Sequence, residues 1–324
     1  MEKKVLDGAE ISPAEALDLM KAEGPDLMSL FASAGRIREK FCGRRVHLCG
    51  IVNAKSGVCP EDCAFCSQSI HHNTDVPEYR LMDSGTILEA SRKAVKDGAG
   101  AFGIVTAWRG IRKGGDLDNI CEALRNISDE GRVEPHVSLG IIEDPEVARM
   151  LADAGALEYN INLETARSFF PSICMTHSHA DRVSTVRYVK AAGMRVCCGG
   201  ILGLGESPEQ RVELAMELRE LKVDTVPLNF YHHQEGNRVE LAKVKKMQPL
   251  EALKIAAVFR HILPSAVLKI AGGRETTLGE FQCMMFLAGL NSTMVGNYLT
   301  TAGRDAMMDV ALVEQSGLRI GAAD

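Results

Sequence analysis

Residues 45–66 read RVHLCGIVNAKSGVCPEDCAFC. The first nine of them form an apolar run of strand length, and a loop that contains Gly57 and Pro60 follows at once. That loop carries three cysteines at intervals of four and three residues, Cys59, Cys63 and Cys66. Thiols grouped in this way suit iron–sulfur or zinc ligation. The stretch therefore predicts a β-strand whose carboxyl end leads directly into a metal site.

The pattern of this first strand returns along the chain. Short apolar runs alternate with longer amphipathic stretches, which is typical of βα units around a parallel sheet. Eight such runs occur, at 45–53, 101–107, 133–138, 157–162, 194–201, 223–229, 266–270 and 291–296. Segments with helical spacing of apolar residues lie between them, for example at 86–98, 144–154, 179–192 and 207–221.

Eight βα repeats predict an α/β fold of the TIM-type (β/α)8 barrel class. A doubly wound open sheet is also compatible with the pattern, since periodicity does not show closure. We predict a single domain over 1–324, with an N-terminal helical extension at 1–44, the barrel at about 45–301, and a C-terminal helix and tail at 302–324. In such a barrel the functional residues lie at the carboxyl ends of the strands.

The composition limits the classes of function. The chain has 324 residues, 46% of them hydrophobic and 25% charged, with a formal net charge of −6. An acidic balance without a basic run argues against a nucleic-acid surface. The N-terminus lacks the apolar segment of a signal peptide, and no stretch reaches the ~18–20 apolar residues that span a bilayer. We therefore expect a cytoplasmic protein without nucleic-acid or membrane partners, whose ten cysteines indicate metal or redox chemistry before disulfides.

The cysteine loop has three interpretations. Three thiolates leave one iron of a [4Fe–4S] cluster without a protein ligand, and that open iron can bind a substrate or cofactor. A zinc completed by His71 or His72, in an interaction protein that is not an enzyme, is a second interpretation. Three buried cysteines without any metal are the third.

The sequence around the loop resembles a known family. The spacing CxxxCxxC after the first strand resembles the radical S-adenosylmethionine superfamily, and the longer string NAKSGVCPEDCAFCSQS at 53–69 resembles the biotin synthases. The resemblance continues through AW at 107–108, YNINLET at 159–165, GGILGLGE at 199–206, VPLN at 226–229, AGGRE at 271–275 and FLAGLNS at 286–292. It covers essentially the whole chain from about residue 40.

The resemblance implies an enzyme and a set of site residues. Cys59, Cys63 and Cys66 would hold a [4Fe–4S] cluster whose open iron binds S-adenosylmethionine, which is cleaved to a 5′-deoxyadenosyl radical. The implied contacts to S-adenosylmethionine are Phe65, Trp108, Asn162, Glu164, Arg182 and Ile201. The implied contacts to the substrate, dethiobiotin, are Asn160, Asn162 and Asn229. No catalytic residue is implied beyond the cluster and the radical. An electron donor such as flavodoxin or ferredoxin and a homodimer are implied as partners.

The sequence departs from the family at a second cluster. Biotin synthases of the familiar type hold a [2Fe–2S] cluster through three cysteines and one arginine, and that cluster donates sulfur. The matching positions here read Gly103, His136, Cys197 and Lys269, so that site cannot be built. We infer a remodelled auxiliary iron–sulfur cluster held by Cys42, Cys49 and Cys197, with Cys198 in reserve. The alternative is that these are buried barrel cysteines.

The remaining cysteines and histidines receive no role. Cys121, Cys174 and Cys283 are expected in helices or loops. The other histidines considered, at 71, 72, 177, 179, 232 and 233, are expected in surface loops. The predicted function is thus a radical sulfurtransferase that converts dethiobiotin to biotin. The alternative is a related radical barrel enzyme that performs a rearrangement or a cofactor-maturation reaction without sulfur insertion.

Overall fold

A computed structural model describes residues 1–238, 241, 243–300 and 303–321. Each predicted apolar run forms a strand, and the fifth run forms two short ones. The strands are β1 (Arg45–Lys55), β2 (Ala101–Thr106), β3 (Glu134–Ser138), β4 (Glu158–Asn160), β5 (Arg195–Cys197), β6 (Gly200–Leu202), β7 (Thr225–Phe230), β8 (Val267–Ile270) and β9 (Ser292–Met294).

The strands close into a parallel barrel. Strand β1 pairs with β2 on one side and with β9 on the other, in the registers Cys49 to Ala101 and Cys49 to Met294. The order between them follows the chain, except that β5 and β6 both pair with β7. Closure through the β1–β9 pair confirms the predicted barrel and excludes the open sheet.

A helix follows each strand position, as the predicted βα repeat requires. The helices after the strands are α4 (Ser84–Lys96), α5 (Gly115–Glu130), α6 (Pro145–Asp153), α7 (His179–Ala191), α8 (Pro208–Glu220), α9 (Pro249–Ile262), α10 (Arg274–Leu278) with α11 (Met284–Leu287), and α12 (Ala306–Gln315). Ser178 and Ser207 cap α7 and α8 through capping boxes with Asp181 and Gln210.

The chain before the barrel forms α1 (Glu2–Leu6), α2 (Pro13–Met20) and α3 (Gly24–Cys42). Helix α3 packs on α9, where the fully buried Arg260 donates to Gly289 O and to Asn291 Oδ1, each at 2.8 Å. After α12, a further strand β10 (Arg319–Ile320) pairs with the first two residues of β1. Among the described residues, no helix combines the length and apolarity that crossing a membrane requires.

Strand alternation separates the core from the barrel interior. Apolar side chains such as Leu48, Phe102 and Val196 point outward and are buried against the helices. Their neighbours point inward, and several are polar or small, including Cys49, His136, Asn160 and Cys197. The helices thus stabilise the barrel from outside, and its interior is available for a ligand.

Candidate active site

A cavity of about 450 Å³ occupies the barrel interior and the loops beyond β1, β2 and β4. The three cysteines of the loop after β1 line it, and so do Cys49 and Cys197 deeper in the barrel. All the predicted S-adenosylmethionine and substrate contacts also line it, namely Phe65, Trp108, Asn160, Asn162, Glu164, Arg182, Ile201 and Asn229. The structure therefore brings the three loop thiols and two of the predicted auxiliary thiols, those of Cys49 and Cys197, to one cavity.

The cysteine loop is shaped by its own backbone. Gly57 adopts φ 71°, and a Cβ there would lie 2.7 Å from Glu78 Cγ, so the turn after β1 requires glycine. Cys59 N donates to Gln68 O at 2.9 Å, and Ile70 N donates to Cys59 O at 2.9 Å. These bonds fold the loop back on itself so that its thiols face the cavity.

The three loop thiols do not form a zinc site with His71 or His72. Burial raises the pKa of Cys59 and raises that of Cys66 to about 11, so thiolates there need a metal to be stable. His71 and His72 do not line the cavity, and their rings contact Pro60 O at 3.1 Å and Cys66 O at 2.8 Å. Neither histidine is placed to complete a zinc site with the three cysteines.

Arg182 and Glu164 form a buried pair on the cavity wall. Arg182 Nη1 donates to Glu164 Oε1 at 3.1 Å and to Asn162 O at 2.8 Å. Glu164 lies beyond the end of β4 in a left-handed conformation with φ 67°, and its O accepts from Ile201 N at 2.7 Å. Burial raises the pKa of Glu164, although Arg182 opposes this effect. Glu164 Oε2 is buried and has no partner among the described residues, so it can accept a hydrogen bond from a ligand hydroxyl.

Apolar side chains complete this part of the wall. Trp108 Nε1 donates to Leu139 O at 2.8 Å, which fixes its ring beside the cavity. Phe65 lies between two of the loop cysteines, and its O accepts from Asn237 Nδ2 at 2.9 Å. Ile201 lines the cavity from β6. Aromatic and aliphatic surfaces beside a buried ion pair suit a ligand with a flat ring and a charged end.

Three asparagines present amide groups to the same cavity. Asn229 Nδ2 donates to Gly200 O at 3.1 Å, and its Oδ1 accepts from Gly272 N at 2.9 Å. Asn162 Oδ1 accepts from Gly199 N at 3.2 Å. Asn160 Nδ2 donates to Cys197 Sγ at 3.0 Å. Each primary amide retains a further hydrogen or lone pair, so each can still bond to a ligand.

A second group of polar residues lies deeper in the barrel. Lys269 Nζ donates to Cys49 Sγ at 3.7 Å. Burial opposes the charge on Lys269, yet Cys197, Cys49 and Glu158 together raise its pKa above the usual value. His136 Nδ1 lies 3.1 Å from Glu158 Oε1. This part of the cavity therefore combines two thiols with a buried cation.

The structure corrects the predicted auxiliary ligand set. Cys42 does not line the cavity. It ends α3 outside the ring of strands, where its Sγ lies 3.6 Å from Pro264 O and 3.3 Å from Arg260 Nη1. Cys198 packs in the core between strands and helices, because alternation turns it away from Cys197. Only Cys49 and Cys197 of the proposed set face the interior.

The structure also corrects the placement of two histidines and shows a buried cysteine beside one of them. His177 and His179 are buried rather than in surface loops, and His177 lines the cavity together with His232. Cys174, to which the sequence assigned no role, is buried with its Sγ 3.9 Å from Cys63 Sγ. The spacing Cys-x-x-His at 174–177 is the sequence signal that indicates this cluster. Of the other cysteines without a role, Cys121 is buried and Cys283 is exposed.

Comparisons with known proteins agree with this geometry. The family model of the Radical SAM superfamily matches residues 54–218, and that of the Biotin and Thiamin Synthesis associated domain matches residues 227–319. Biotin synthase from Geobacter sulfurreducens is 49% identical over 320 residues, which cover 99% of this chain and 96% of that protein. Biotin synthase from Pelobacter propionicus is 51% identical over 318 residues, 98% of this chain and 96% of that protein.

Solved structures share the fold at lower identity. Methylornithine synthase (PylB) superposes with a TM-score of 0.85 at 20% identity, over 99% of this chain and 97% of that one. HydG, a maturase of the [FeFe]-hydrogenase, superposes with a TM-score of 0.83 at 15% identity, over 100% of this chain and 75% of that one. These two show the barrel alone, whereas the full-length relatives show the family. The chain belongs to the biotin synthase family of radical S-adenosylmethionine enzymes.

Proposed function

We propose that this protein inserts sulfur into dethiobiotin to form biotin, inside the cavity described above. The observation that carries the proposal is that one cavity is lined by the three-cysteine loop, the Arg182–Glu164 pair, the three asparagines and the deeper thiols of Cys49 and Cys197. A radical reaction requires its source, its substrate and its sulfur to be enclosed together, away from competing reactants.

Cys59, Cys63 and Cys66 would hold the [4Fe–4S] cluster. When bound, the cluster supplies the electron that cleaves S-adenosylmethionine and so starts the reaction. The protein buries the three thiols, and the folded loop holds them at the cavity. Low exposure of Cys59 and Cys63, 8% and 7%, limits the water that reaches the cluster.

Arg182, Glu164 and Asn162 would bind the polar groups of S-adenosylmethionine. The Arg182 guanidinium already donates through Nε to His177 Nε2 at 2.9 Å. Through Nη1 it donates to Asn162 O and Glu164 Oε1. Its Nη2 donates to no described residue, so this nitrogen is available to a carboxylate. Glu164 Oε2 would accept from a ribose hydroxyl. Phe65, Trp108 and Ile201 would contact the adenosyl group.

Asn160, Asn162 and Asn229 would bind dethiobiotin. A ureido ring presents N–H donors and a carbonyl acceptor, and a primary amide offers both complementary functions. The backbone bonds of Asn229 to Gly200 and Gly272 fix the plane of its amide. The substrate would then lie between the three-cysteine loop and the deeper thiols.

Cys49 and Cys197 would hold the auxiliary iron–sulfur cluster that supplies the sulfur. Lys269 lies where it can offset the negative charge of a cluster, since its ammonium contacts Cys49 and its pKa is held high by both thiols. His136 and Asn160 line the same space. With fewer protein ligands than the usual [2Fe–2S] cluster has, this cluster would be of a different type.

The alternative is a barrel enzyme without sulfur insertion, acting in a rearrangement or in cofactor maturation. Gly103, His136 and Lys269 in place of the usual auxiliary ligands favour it. It predicts cleavage of S-adenosylmethionine without any biotin.

We also infer a single domain, because the two matched segments, 54–218 and 227–319, both contribute strands to one closed barrel. An electron donor such as flavodoxin or ferredoxin, a homodimer and a cytoplasmic location are proposed with the function.

The test is iron and acid-labile sulfide per chain, measured anaerobically in a variant with Cys59, Cys63 and Cys66 all changed to Ala. About two to four irons should persist with sulfide, and they should disappear when Cys49 and Cys197 are also changed to Ala. A Cys121→Ala change in the same background is the matched control and should leave the iron in place.

Activity of the otherwise unchanged protein completes the test. With dethiobiotin, S-adenosylmethionine and a reductant, the wild type should form biotin. The Cys49→Ala and Cys197→Ala variants should still form 5′-deoxyadenosine but no biotin. A folded triple variant without iron, or a wild type that cleaves S-adenosylmethionine and never forms biotin, would establish the alternative.

A further inference from the structure

A second set of metal-binding atoms lies behind the three-cysteine loop. It consists of Cys63, Cys174 and His177, whose ligand atoms all lie within 4.8 Å of one another. Cys174 Sγ is 3.9 Å from Cys63 Sγ, and 3.3 and 3.7 Å from His177 Nδ1 and Nε2. All three residues are buried, and two of them, Cys63 and His177, line the cavity.

Two of these separations match the edges of a tetrahedral zinc site. Zn–S bonds of about 2.3 Å and Zn–N bonds of about 2.0 Å place neighbouring ligands about 3.5–3.8 Å apart. The Cys63–Cys174 and Cys174–His177 Nε2 separations lie within about 0.2 Å of that range. Three protein ligands leave the fourth position to water, which the cavity can supply.

The surroundings hold two of the ligands in place. His177 Nδ1 and Glu61 Oε2 form a short hydrogen bond, and a carboxylate on one ring nitrogen is the usual support of a histidine that binds metal through the other. Asp62 Oδ1 accepts from Met175 N at 2.9 Å and from Thr176 N at 3.1 Å, which fixes the turn after Cys174. Arg182 Nε now donates to His177 Nε2, so a metal would replace that bond.

We propose that the cluster-free chain binds a zinc ion through Cys63 Sγ, Cys174 Sγ and His177 Nε2. The two thiols lose their protons on binding, as ligation by thiolate requires. Because Cys63 also belongs to the three-cysteine loop, this zinc site and the [4Fe–4S] cluster exclude each other. The mutual exclusion depends on the cluster ligands proposed above, whereas zinc binding itself does not depend on them.

The binding test uses the full chain, freed of iron by an anaerobic chelator and titrated with Zn²⁺ against a chromophoric chelator. Cys174→Ala should weaken zinc binding by about 100-fold or more, and Glu61→Gln by about 10-fold. Cys59→Ala is the matched control, since it removes a thiol from the same loop and should leave zinc binding unchanged. Co²⁺ in place of Zn²⁺ should give the thiolate charge-transfer bands of a tetrahedral site, at lower intensity in Cys174→Ala.

Cluster assembly provides the second readout. Cys174→Ala should accept a [4Fe–4S] cluster, whereas Cys59→Ala should not. Added Zn²⁺ should slow assembly in the wild type and have little effect in Cys174→Ala. Equal zinc affinity in the wild type and a folded Cys174→Ala variant would overturn the site, and so would loss of zinc binding in Cys59→Ala. If zinc binding changes as expected but neither the wild type nor Cys174→Ala assembles a cluster, the result would instead contradict the proposed function.

Discussion

Lys269 Nζ lies 3.7 Å from Cys49 Sγ in the interior of the barrel. The lysine is 7% exposed, and its cation faces two thiols and the carboxylate of Glu158. A buried ammonium persists only where negative groups offset its desolvation. The relationship assigns Lys269 to the charge balance of the deeper cavity.

Lys269→Met should destabilise the proposed auxiliary cluster. The variant keeps a side chain of similar length but removes the cation beside Cys49, so we expect the iron that persists in the three-cysteine Ala variant to fall by at least about half. Iron and sulfide analysis checks this. Lys269→Arg keeps the charge and is the control. Unchanged iron in Lys269→Met would show that the cation does not support a cluster.

The stability contributed by His136 should be lost at alkaline pH. Burial lowers the pKa of His136, but Glu158 and Glu134 outweigh burial and raise it above the ordinary value. A histidine whose pKa is raised by folding stabilises the folded state. This stabilisation is complete at pH values below the unfolded-state pKa of about 6.5, and it disappears as the pH rises through the folded-state pKa. The difference in unfolding free energy between wild type and His136→Gln should therefore be largest in mild acid.

Urea denaturation at a series of pH values measures this difference. In a Glu158→Gln background, the difference in unfolding free energy should depend much less on pH, since the main partner of His136 is then neutral. A slope of the opposite sign would contradict the assignment of a protonated His136.

Arg182→Lys should weaken S-adenosylmethionine binding by about 10-fold or more. Lysine retains the charge but not the planar fork that bonds His177, Asn162 O and Glu164 together. Equilibrium dialysis with labelled S-adenosylmethionine checks this. Arg149→Lys, on the exposed face of α6, is the control. Equal affinity in both variants would remove Arg182 from the binding site.

Asn229→Asp should raise the KM for dethiobiotin by about 10-fold or more while the variant still binds S-adenosylmethionine. The change removes the donor to Gly200 O at 3.1 Å and presents a carboxylate to a ring that needs a donor and an acceptor. Biotin formation at varied dethiobiotin concentration measures it. Asn119→Asp is the matched control, because Asn119 donates to Met82 O away from the cavity.

Gly200→Ala should destabilise the fold by about 1–3 kcal/mol and weaken S-adenosylmethionine binding. A Cβ at this position would lie 2.6 Å from Glu164 O and 2.8 Å from Leu214 Cδ2, so Glu164 must move. Thermal unfolding and dialysis check the two effects. Gly115→Ala, where a Cβ would meet nothing within 4 Å, should leave both quantities close to wild type.

The sequence predicted the barrel because each apolar run is bounded by turn residues and followed by a helical pattern. It missed the division of the fifth run at Cys198 and Gly199. The close approach of Gly200 to Glu164 O arises between residues that are distant in sequence, and no local pattern reports it. Most of the motif strings, by contrast, lie at or just beyond the end of a strand, and strand ends converge in a barrel, so their residues line the cavity together.

Two errors have different physical causes. Cys42 lies seven residues before Cys49 in the sequence, but it is the last residue of α3 and therefore lies outside the strands. His177 follows a segment whose sequence predicts an exposed turn. Glu61, 116 residues away in the chain, nevertheless pairs with His177 and helps to bury it. Cys42 was misplaced because nearness to Cys49 in the sequence does not imply nearness in space. The burial of His177 was missed because it depends on a long-range contact that no local pattern indicates.

The β1–β9 pair that closes the barrel has a consequence for biosynthesis. Ser292 Oγ donates to His47 O at 3.0 Å across 245 residues of chain. During translation, the cysteine loop therefore leaves the ribosome long before the strand that completes the wall beside β1. Contacts of such long sequence separation form slowly. The nascent chain consequently exposes Cys49 along an open edge, and enclosure of the deeper cavity is among the last events in the maturation of the enzyme.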